Sequence, residues 1–384
     1  MTLSTKPFPT KPFRPTDSAS AAMADPAACL SPMPWSLTRQ NTHSGFILIP
    51  PTDNPLWISH AQAPTMLPLD PRQDTAEGAQ KEEEERAVWR IFLAGRDRHN
   101  TSRIFAADVH PDDMSLATLH PDPVLDVGAP GAFDEHGIGP GTAIAVGGRI
   151  FLYYMGLSRK SDVPYRPNVG VAISEDGGRS FEKFGGPLLG PSPHLPLGAG
   201  LPTVFATDAT PGRPFGMWFS RFTEWAMIEG KPEPVYDLLY ASSVDGLDWQ
   251  VHPDANVPLA SRDEGGLVRA AVHRTAEGWL MLFTARGRAH FREDAEQRYR
   301  LIAATSADGL NFTRTGAIGL DPVPAAGDWD GEMQAYPQIV PDGERTLVLY
   351  NGNGFGRDGF GYALLTGTAP AAAQDTAPGQ GTAT

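Results

Sequence analysis

The feature that most limits what this chain can fold into is a hairpin signature that occurs three times. Ser174-Glu175-Asp176-Gly177-Gly178-Arg179-Ser180-Phe181 is followed by Pro187-Leu188-Leu189. Ser243-Val244-Asp245-Gly246-Leu247-Asp248-Trp249 is followed by Val257-Pro258-Leu259, and Ser306-Ala307-Asp308-Gly309-Leu310-Asn311-Phe312 by Ile318-Gly319-Leu320. The three leading serines are 243 − 174 = 69 and 306 − 243 = 63 residues apart. Repeats of that length mark an array of supersecondary units. Each signature follows two apolar runs, such as Ile150-Phe151-Leu152-Tyr153-Tyr154 and then Val169 to Ile173. Asp-Gly between such runs predicts a β-hairpin, because both turn positions tolerate positive φ.

Two further units match in part. Arg90 to Gly95 with Ile104 to Ala107 makes an earlier one, and Thr346 to Tyr350 with Phe360 to Ala363 makes a last one. The reading is therefore five units, each with three outer strands and a variable preceding segment that supplies an inner strand. The last unit lacks a third strand after Leu365, and Phe46-Ile47-Leu48-Ile49 is the segment expected to supply it and close a ring. Four-stranded sheets set radially with such closure make a β-propeller, which leaves few open edges. The expected fold class is all-β, a five-bladed β-propeller; a two-sheet sandwich is the alternative, and it does not repeat a hairpin at this period.

Composition fits a loop-rich globular chain. Gly (41) and Pro (37) are abundant among 384 residues, which disfavours a helical bundle. The net charge of −14 repels phosphate backbones and anionic lipids, so neither nucleic acid nor a membrane surface is an expected partner. A single cysteine, Cys29, excludes an intramolecular disulfide and a cysteine-based metal site. Residues 1–34 and 367–384 are low in complexity and read as disordered tails around a folded part at 35–366. The run Lys81-Glu82-Glu83-Glu84-Glu85-Arg86 reads as a solvated loop. No apolar h-region follows a basic start, so the cytoplasm is the expected location. No cofactor and no metal are expected.

In a propeller the inner strands line a central channel, where polar groups from several blades converge. The informative residues therefore precede each first apolar run. They include Ser59-His60-Ala61-Gln62, Phe133-Asp134-Glu135-His136-Gly137, Asp263-Glu264-Gly265-Gly266 and Asp328-Trp329-Asp330-Gly331-Glu332-Met333-Gln334-Ala335-Tyr336-Pro337. The recurring carboxylates Asp134, Glu264 and Glu332 are the expected catalytic groups, converging at one mouth. Arg96-Asp97 ends the first apolar run and Arg286 the fourth, and a guanidinium there would grip a carboxylate, phosphate or sulfate. Trp225 and Tyr336 are candidate stacking faces for a sugar ring. His60 and His136 are candidate acid/base groups or ion ligands.

Two resemblances follow from these motifs. The Ser-x-Asp-Gly-Gly-x-Ser-Phe turn resembles the Asp-box of sialidases and related propellers, where it marks architecture. Over roughly residues 45–366, the units carrying Phe-Asp-Glu-His-Gly-Ile-Gly-Pro, Trp-Asp-Gly-Glu-Met-Gln-Ala-Tyr-Pro and Tyr350-Asn351-Gly352-Asn353-Gly354-Phe355-Gly356 look like a group of five-bladed propeller glycosidase-like proteins related to glycoside hydrolase families 32, 43, 68 and 130. The resemblance implies an Asp on the first blade, an Asp on the second and a Glu on the third. Here the first blade offers His60 and Gln62 instead, the third opens with Gly198 to Thr203 and no acid, and only Asp134 matches. The function expected is cleavage or transfer of a glycosidic bond in a glycoside or oligosaccharide. Glu332 is then the acid, Asp134 the base or stabiliser, and Glu264 the reserve. A glycoside phosphorylase, whose nucleophile is phosphate, and a non-catalytic carbohydrate-binding propeller are the alternatives.

Overall fold

A computed structural model describes residues 35–40, 46–48, 50–51, 53–69 and 87–367. The two tails, the charged run at 81–86 and Ile49 lie outside the described residues. Two short strands come first, β1 (Ser36–Arg39) and β2 (Phe46–Leu48). The first blade is β3 (Ser59–Pro68), β4 (Trp89–Arg96), β5 (Ser102–Val109) and β6 (Leu116–Leu119). The second is β7 (Gly137–Val146), β8 (Arg149–Ser158), β9 (Arg166–Ser174) and β10 (Glu182–Lys183). The third is β11 (Ala199–Ala206), β12 (Phe215–Ile228), β13 (Lys231–Ser243) and β14 (Trp249–Val257). The fourth is β15 (Glu264–Thr275), β16 (Gly278–Gly287), β17 (Arg300–Ser306) and β18 (Thr313–Ala317). After the two-residue β19 (Leu320–Asp321), the last blade is β20 (Ala335–Asp342), β21 (Arg345–Asn351) and β22 (Phe360–Thr366).

Within each blade successive strands pair antiparallel. The third and fourth blades also share one parallel pair, Tyr236 with Gly266. The innermost strands touch in a closed cycle, β3 to β7 to β11 to β15 to β20 and back to β3. Apolar cores fill the wedges between neighbouring sheets. Ile91 and Leu93 pack on Leu347 and Leu349, Phe92 and Ile104 on Leu152 and Tyr154, and Trp218 and Leu238 on Met281 and Phe283.

The Asp-Gly turns are self-capped. In the second blade Ser174 Oγ accepts the Gly178 N–H at 2.8 Å, and Asp176 Oδ1 accepts those of Arg179 and Ser180 at 3.0 Å. Ser243 with Asp245 and Ser306 with Asp308 repeat this arrangement. The turns also join blades. Arg90 donates to the Gly177 carbonyl at 2.6 Å and Tyr153 to that of Gly246 at 2.9 Å, so the turn of one blade docks on the blade before it. Gly246 has φ +79°, and a Cβ there would lie 2.6 Å from the Tyr153 hydroxyl.

The last sheet is closed by two segments rather than one. β1 pairs with β22 over four residues, from Ser36–Thr366 to Arg39–Ala363, and β2 adds Phe46–Gly361 and Leu48–Phe360. The expectation placed closure on 46–49; most of it falls to 36–39, which also runs parallel to β19. A buried ion pair locks this closure. Arg39 reaches Asp330 through Nε at 2.9 Å and Nη2 at 2.5 Å, Tyr350 donates to Asp330 at 2.8 Å, and Arg39 and Asp330 are almost wholly buried. Removing one partner of such a pair strands the other charge. Arg39 also pairs with Asp328 at 3.0 Å, so the change that strands a charge is loss of Arg39, which leaves Asp330 buried without its cation. Arg39→Met, or a chain starting after Arg39, is expected to lose about 3–5 kcal/mol of folding stability in denaturant unfolding. A loss below about 1 kcal/mol would mean that the pair does not hold the ring shut.

Candidate functional site

The five inner strands start at one face of the ring, and each slips register near its start. The slips lie between Gln62 and Thr65, Pro140 and Thr142, Gly200 and Thr203, Val268 and Ala271, and Ala335 and Gln338. Ala63, Leu201, Arg269 and Tyr336 sit in these bulges with φ between +49° and +56°, and Gly141 holds the matching place in the second blade. The left-handed region costs a non-glycine residue about 1–2 kcal/mol, and a bulge re-aims its side chain. Three of the four are followed by proline, Pro64, Pro202 and Pro337. Ala63, Leu201 and Tyr336 join one buried cluster with Phe222, Tyr236, Tyr299 and Met333. Arg269, from the fourth blade, donates across the ring to the Gly141 carbonyl of the second at 3.0 Å. The bulge residues thus form the floor of the channel mouth.

Above this floor the polar groups are mostly cationic or phenolic. Arg96 Nη2 donates to Gln62 Oε1 at 2.6 Å, and Gln62 Nε2 donates to the Tyr336 hydroxyl at 3.0 Å. Arg286 is saturated by the protein: it donates to the hydroxyls of Tyr236 (3.0 Å) and Tyr299 (3.2 Å) and to the carbonyls of Gly287 and Pro234. Its guanidinium also stacks 3.9 Å from the centre of the Phe291 ring. Burial pushes the Tyr336 hydroxyl up to about 12, aided by Tyr236 and opposed by Gln62, Arg96 and Arg286. Burial lowers Arg269 to about 9, and its Nη1 finds no acceptor among the described residues. Burial also lowers Arg96. Among the described residues no carboxylate pairs with Arg96, Arg269 or Arg286.

β12 and β13 continue as a hairpin beyond the blade to Ile228–Lys231. It carries Trp225, whose ring meets Tyr165 edge-on at 5.3 Å. Ion pairs Arg292–Glu233 (2.6 Å) and Arg288–Glu224 (2.5 Å) tie the hairpin to the fourth blade.

The three expected catalytic carboxylates each face a different cation. Asp134 is buried under the loop before β7, 2.7 Å from Lys183 Nζ and 2.9 Å from the Tyr154 hydroxyl. Gly128 and Gly156 make its space, since a Cβ would fall 2.1 Å from its Oδ1 at the first and 2.5 Å from its Cβ at the second. Glu264 turns outward to Arg314 on β18, at 2.9 and 2.8 Å, and accepts the Ala260 N–H. Glu332 is 57% exposed, 3.7 Å from Arg298 Nη1, and precedes Met333 of the mouth cluster, so it stands at the rim. The three acids share no partner among the described residues: each faces a different cation, which sequence position does not reveal.

The remaining predicted residues divide in the same way. His60 lies beside the mouth, its Nδ1 3.0 Å from Ser59 Oγ. Asp97 caps the β4–β5 turn, accepting the N–H groups of His99 and Thr101 and pairing with Arg103 at 2.9 Å. Although burial opposes it, these donors hold Asp97 below the usual carboxylate range. His136 is half-buried beside Glu135, 3.3 Å away, on the second blade. Sequence reasoning missed Tyr165, Tyr236, Arg269 and Tyr299. The residue-before-proline pattern of the bulges marks the equivalent place of Arg269, while the tyrosines carry no such signal. Among the described residues, no group of three or more His, Cys, Asp or Glu is placed to hold a metal ion.

No family model matches the chain. The uncharacterized protein Rv1502 of Mycobacterium tuberculosis is 32% identical over 284 residues, covering 72% of this chain and 88% of that protein. The uncharacterized protein MT1551 from another strain of the same species matches over the same shares. The chain belongs to the family of these two mycobacterial proteins. Its fold is shared more widely. A structure described as a glycoside hydrolase superposes with a TM-score of 0.58 at 15% identity, over 88% of this chain and 95% of that one. A glycosyl hydrolase from Bacteroides ovatus gives 0.58 at 14%, over 86% and 93%. A structure from work on the GH130 family of mannoside phosphorylases, which contains glycoside hydrolases that target β-1,2 mannosidic linkages in Candida mannan, gives 0.57 at 13%, over 86% and 93%. These likenesses establish the glycosidase-like propeller fold.

One titration follows from the mouth geometry. Burial, with Arg96 and Arg357 adding to it and Asp358 opposing, lowers His60 to about 4. The unfolded chain then binds the extra proton first, so His60 withdraws stability as pH falls from its ordinary value near ~6.5 toward the folded one. By imidazole NMR, His60 is expected to stay neutral at about pH 5.5. A midpoint above about 6 would place its ring outside the cationic mouth.

Proposed function

We propose that the protein cleaves or transfers a glycosidic bond at the mouth of its central channel. The observation that carries this reading is a mouth lined by aromatic rings and hydrogen-bonding groups, with Glu332 exposed at its rim. Trp225 and Tyr336 supply faces for a sugar ring, and Gln62 and Arg96 supply donors for its hydroxyls. Glu332 serves as the proton donor to the leaving oxygen. Asp134 and Glu264, each engaged by a cation elsewhere, fit the base role poorly. That favours the phosphorylase reading within the same class: the nucleophile is then an anion from solution, and Arg96, partly open and paired with no carboxylate among the described residues, suits it. The protein is proposed to act in the cytoplasm, with its single cysteine in support. No helix among the described residues is long and apolar enough to cross a membrane.

The test is a screen of aryl glycosides and oligosaccharides with and without inorganic phosphate. Turnover is expected, and release of a sugar 1-phosphate only with phosphate would fix the phosphorylase form. Glu332→Gln should lower kcat by about 10²-fold or more, with the melting temperature unchanged because the side chain holds no core. Unaltered activity in that variant would remove Glu332 from the chemistry, and unfolding would make it structural.

A further inference from the structure

A cleft of about 600 Å³ lies on the same face of the ring, displaced from the channel and over the second blade. Its wall is the glycine-rich loop before β7, the end of β8, the start of β9 and the segment after β10. The volume suits a monosaccharide or disaccharide. Ser158 and Asn168 line it and are themselves buried, at 5% and 4% exposure. Among the described residues, neither side chain bonds to the protein or is among the polar atoms sealed from solvent without a partner, so their polar ends open on the cleft.

The charges are asymmetric. Asp134 is neutralised by Lys183, and Glu135 is engaged by the Gly131 N–H at 2.7 Å and by His136. Lys160 and Arg166 also line the cleft, and their side chains form no ion pair or hydrogen bond among the described residues. In a chain of net charge −14, two such cations facing one hollow are a local reversal of sign. Arg166 is next in sequence to Tyr165, whose ring packs on Trp225 at the mouth, so cleft and mouth flank one strand end.

We propose that this cleft is a saccharide site for a sugar bearing an oxyanionic group, a carboxylate or a phosphate. Lys160 and Arg166 take the oxyanion, the guanidinium bidentately, while Ser158 and Asn168 bond the ring hydroxyls. The site lies outside the proposed catalytic mouth, and its occupancy needs no turnover.

The test is titration calorimetry on the full chain at constant ionic strength with D-glucuronate, D-glucose 6-phosphate, D-glucose and inorganic phosphate. At least one of the two acidic sugars is expected to bind about tenfold or more tightly than glucose and than phosphate. Preference for glucuronate assigns a sugar carboxylate, and preference for glucose 6-phosphate a sugar phosphate. Arg166→Met and Lys160→Met should each weaken that binding by about fivefold or more with unchanged melting, since both side chains reach solvent. Glu332→Gln should bind as wild type. Equal binding of glucose, equal binding of bare phosphate, or indifference to both cleft substitutions would overturn the proposal. Cleft binding without turnover would sink only the enzyme reading, and turnover without cleft binding only this one.

Discussion

The last sheet of this ring is completed by the start of the chain, and one buried guanidinium holds that closure. Arg39 brings β1 onto the open edge of β22 and places its charge against Asp330, with Tyr350 filling a further acceptor position. The same contact shapes the functional face. Asp330 belongs to the loop that ends in Glu332 and Met333, and Asn353 grips that loop by accepting the N–H groups of both at 2.8 and 3.1 Å. Asn351 then stitches the last blade to the first, bonding Ala63 N–H and the Ala61 carbonyl. Closure and rim are therefore one structure, and a change at the latch should be felt at the mouth.

The mouth is unusual in its charge balance. Buried arginines normally meet carboxylates, because an unpaired charge in low dielectric is costly. Arg286 avoids that cost through four neutral acceptors and three aromatic faces. Arg269 does not, with one carbonyl bond and an idle Nη1 among the described residues. Its one acceptor, the Gly141 carbonyl, belongs to a residue that must be small, since a Cβ at 141 would lie 2.2 Å from the Pro202 carbonyl. Arg269 and Arg286 are both wholly buried, so of the three guanidinium groups around the mouth only Arg96 is partly open to a ligand.

The repeat made the architecture legible, because a self-capped Asp-Gly turn depends on residues two to four apart. Ring closure was harder to read. In Ser36 to Arg39 only Leu37 and Arg39 face inward, and an inward arginine looks like a surface residue until Asp330 is seen across 291 positions. The partners of the acids are hard to read for a related reason. Asp134, Glu264 and Glu332 do hold similar chain positions, but Lys183 and Arg314 lie on outer strands and draw the first two away. The aromatic residues around the mouth are unevenly legible: Trp225 and Tyr336 stand out beside blade motifs, whereas Tyr165 and Tyr299 sit just before third strands with no recurrent pattern.

Catalysis at the mouth requires a saccharide lying across the floor residues, with its scissile oxygen at residue 332. A crystal structure of the Glu332→Gln protein with a saccharide bound addresses this most directly. The expected result is a sugar ring against Tyr336 or Trp225, with its glycosidic oxygen within about 2.6–3.2 Å of the substituted side chain at position 332, or one water away. A saccharide bound only outside the channel mouth, or one whose glycosidic oxygen faces away from position 332, would contradict it.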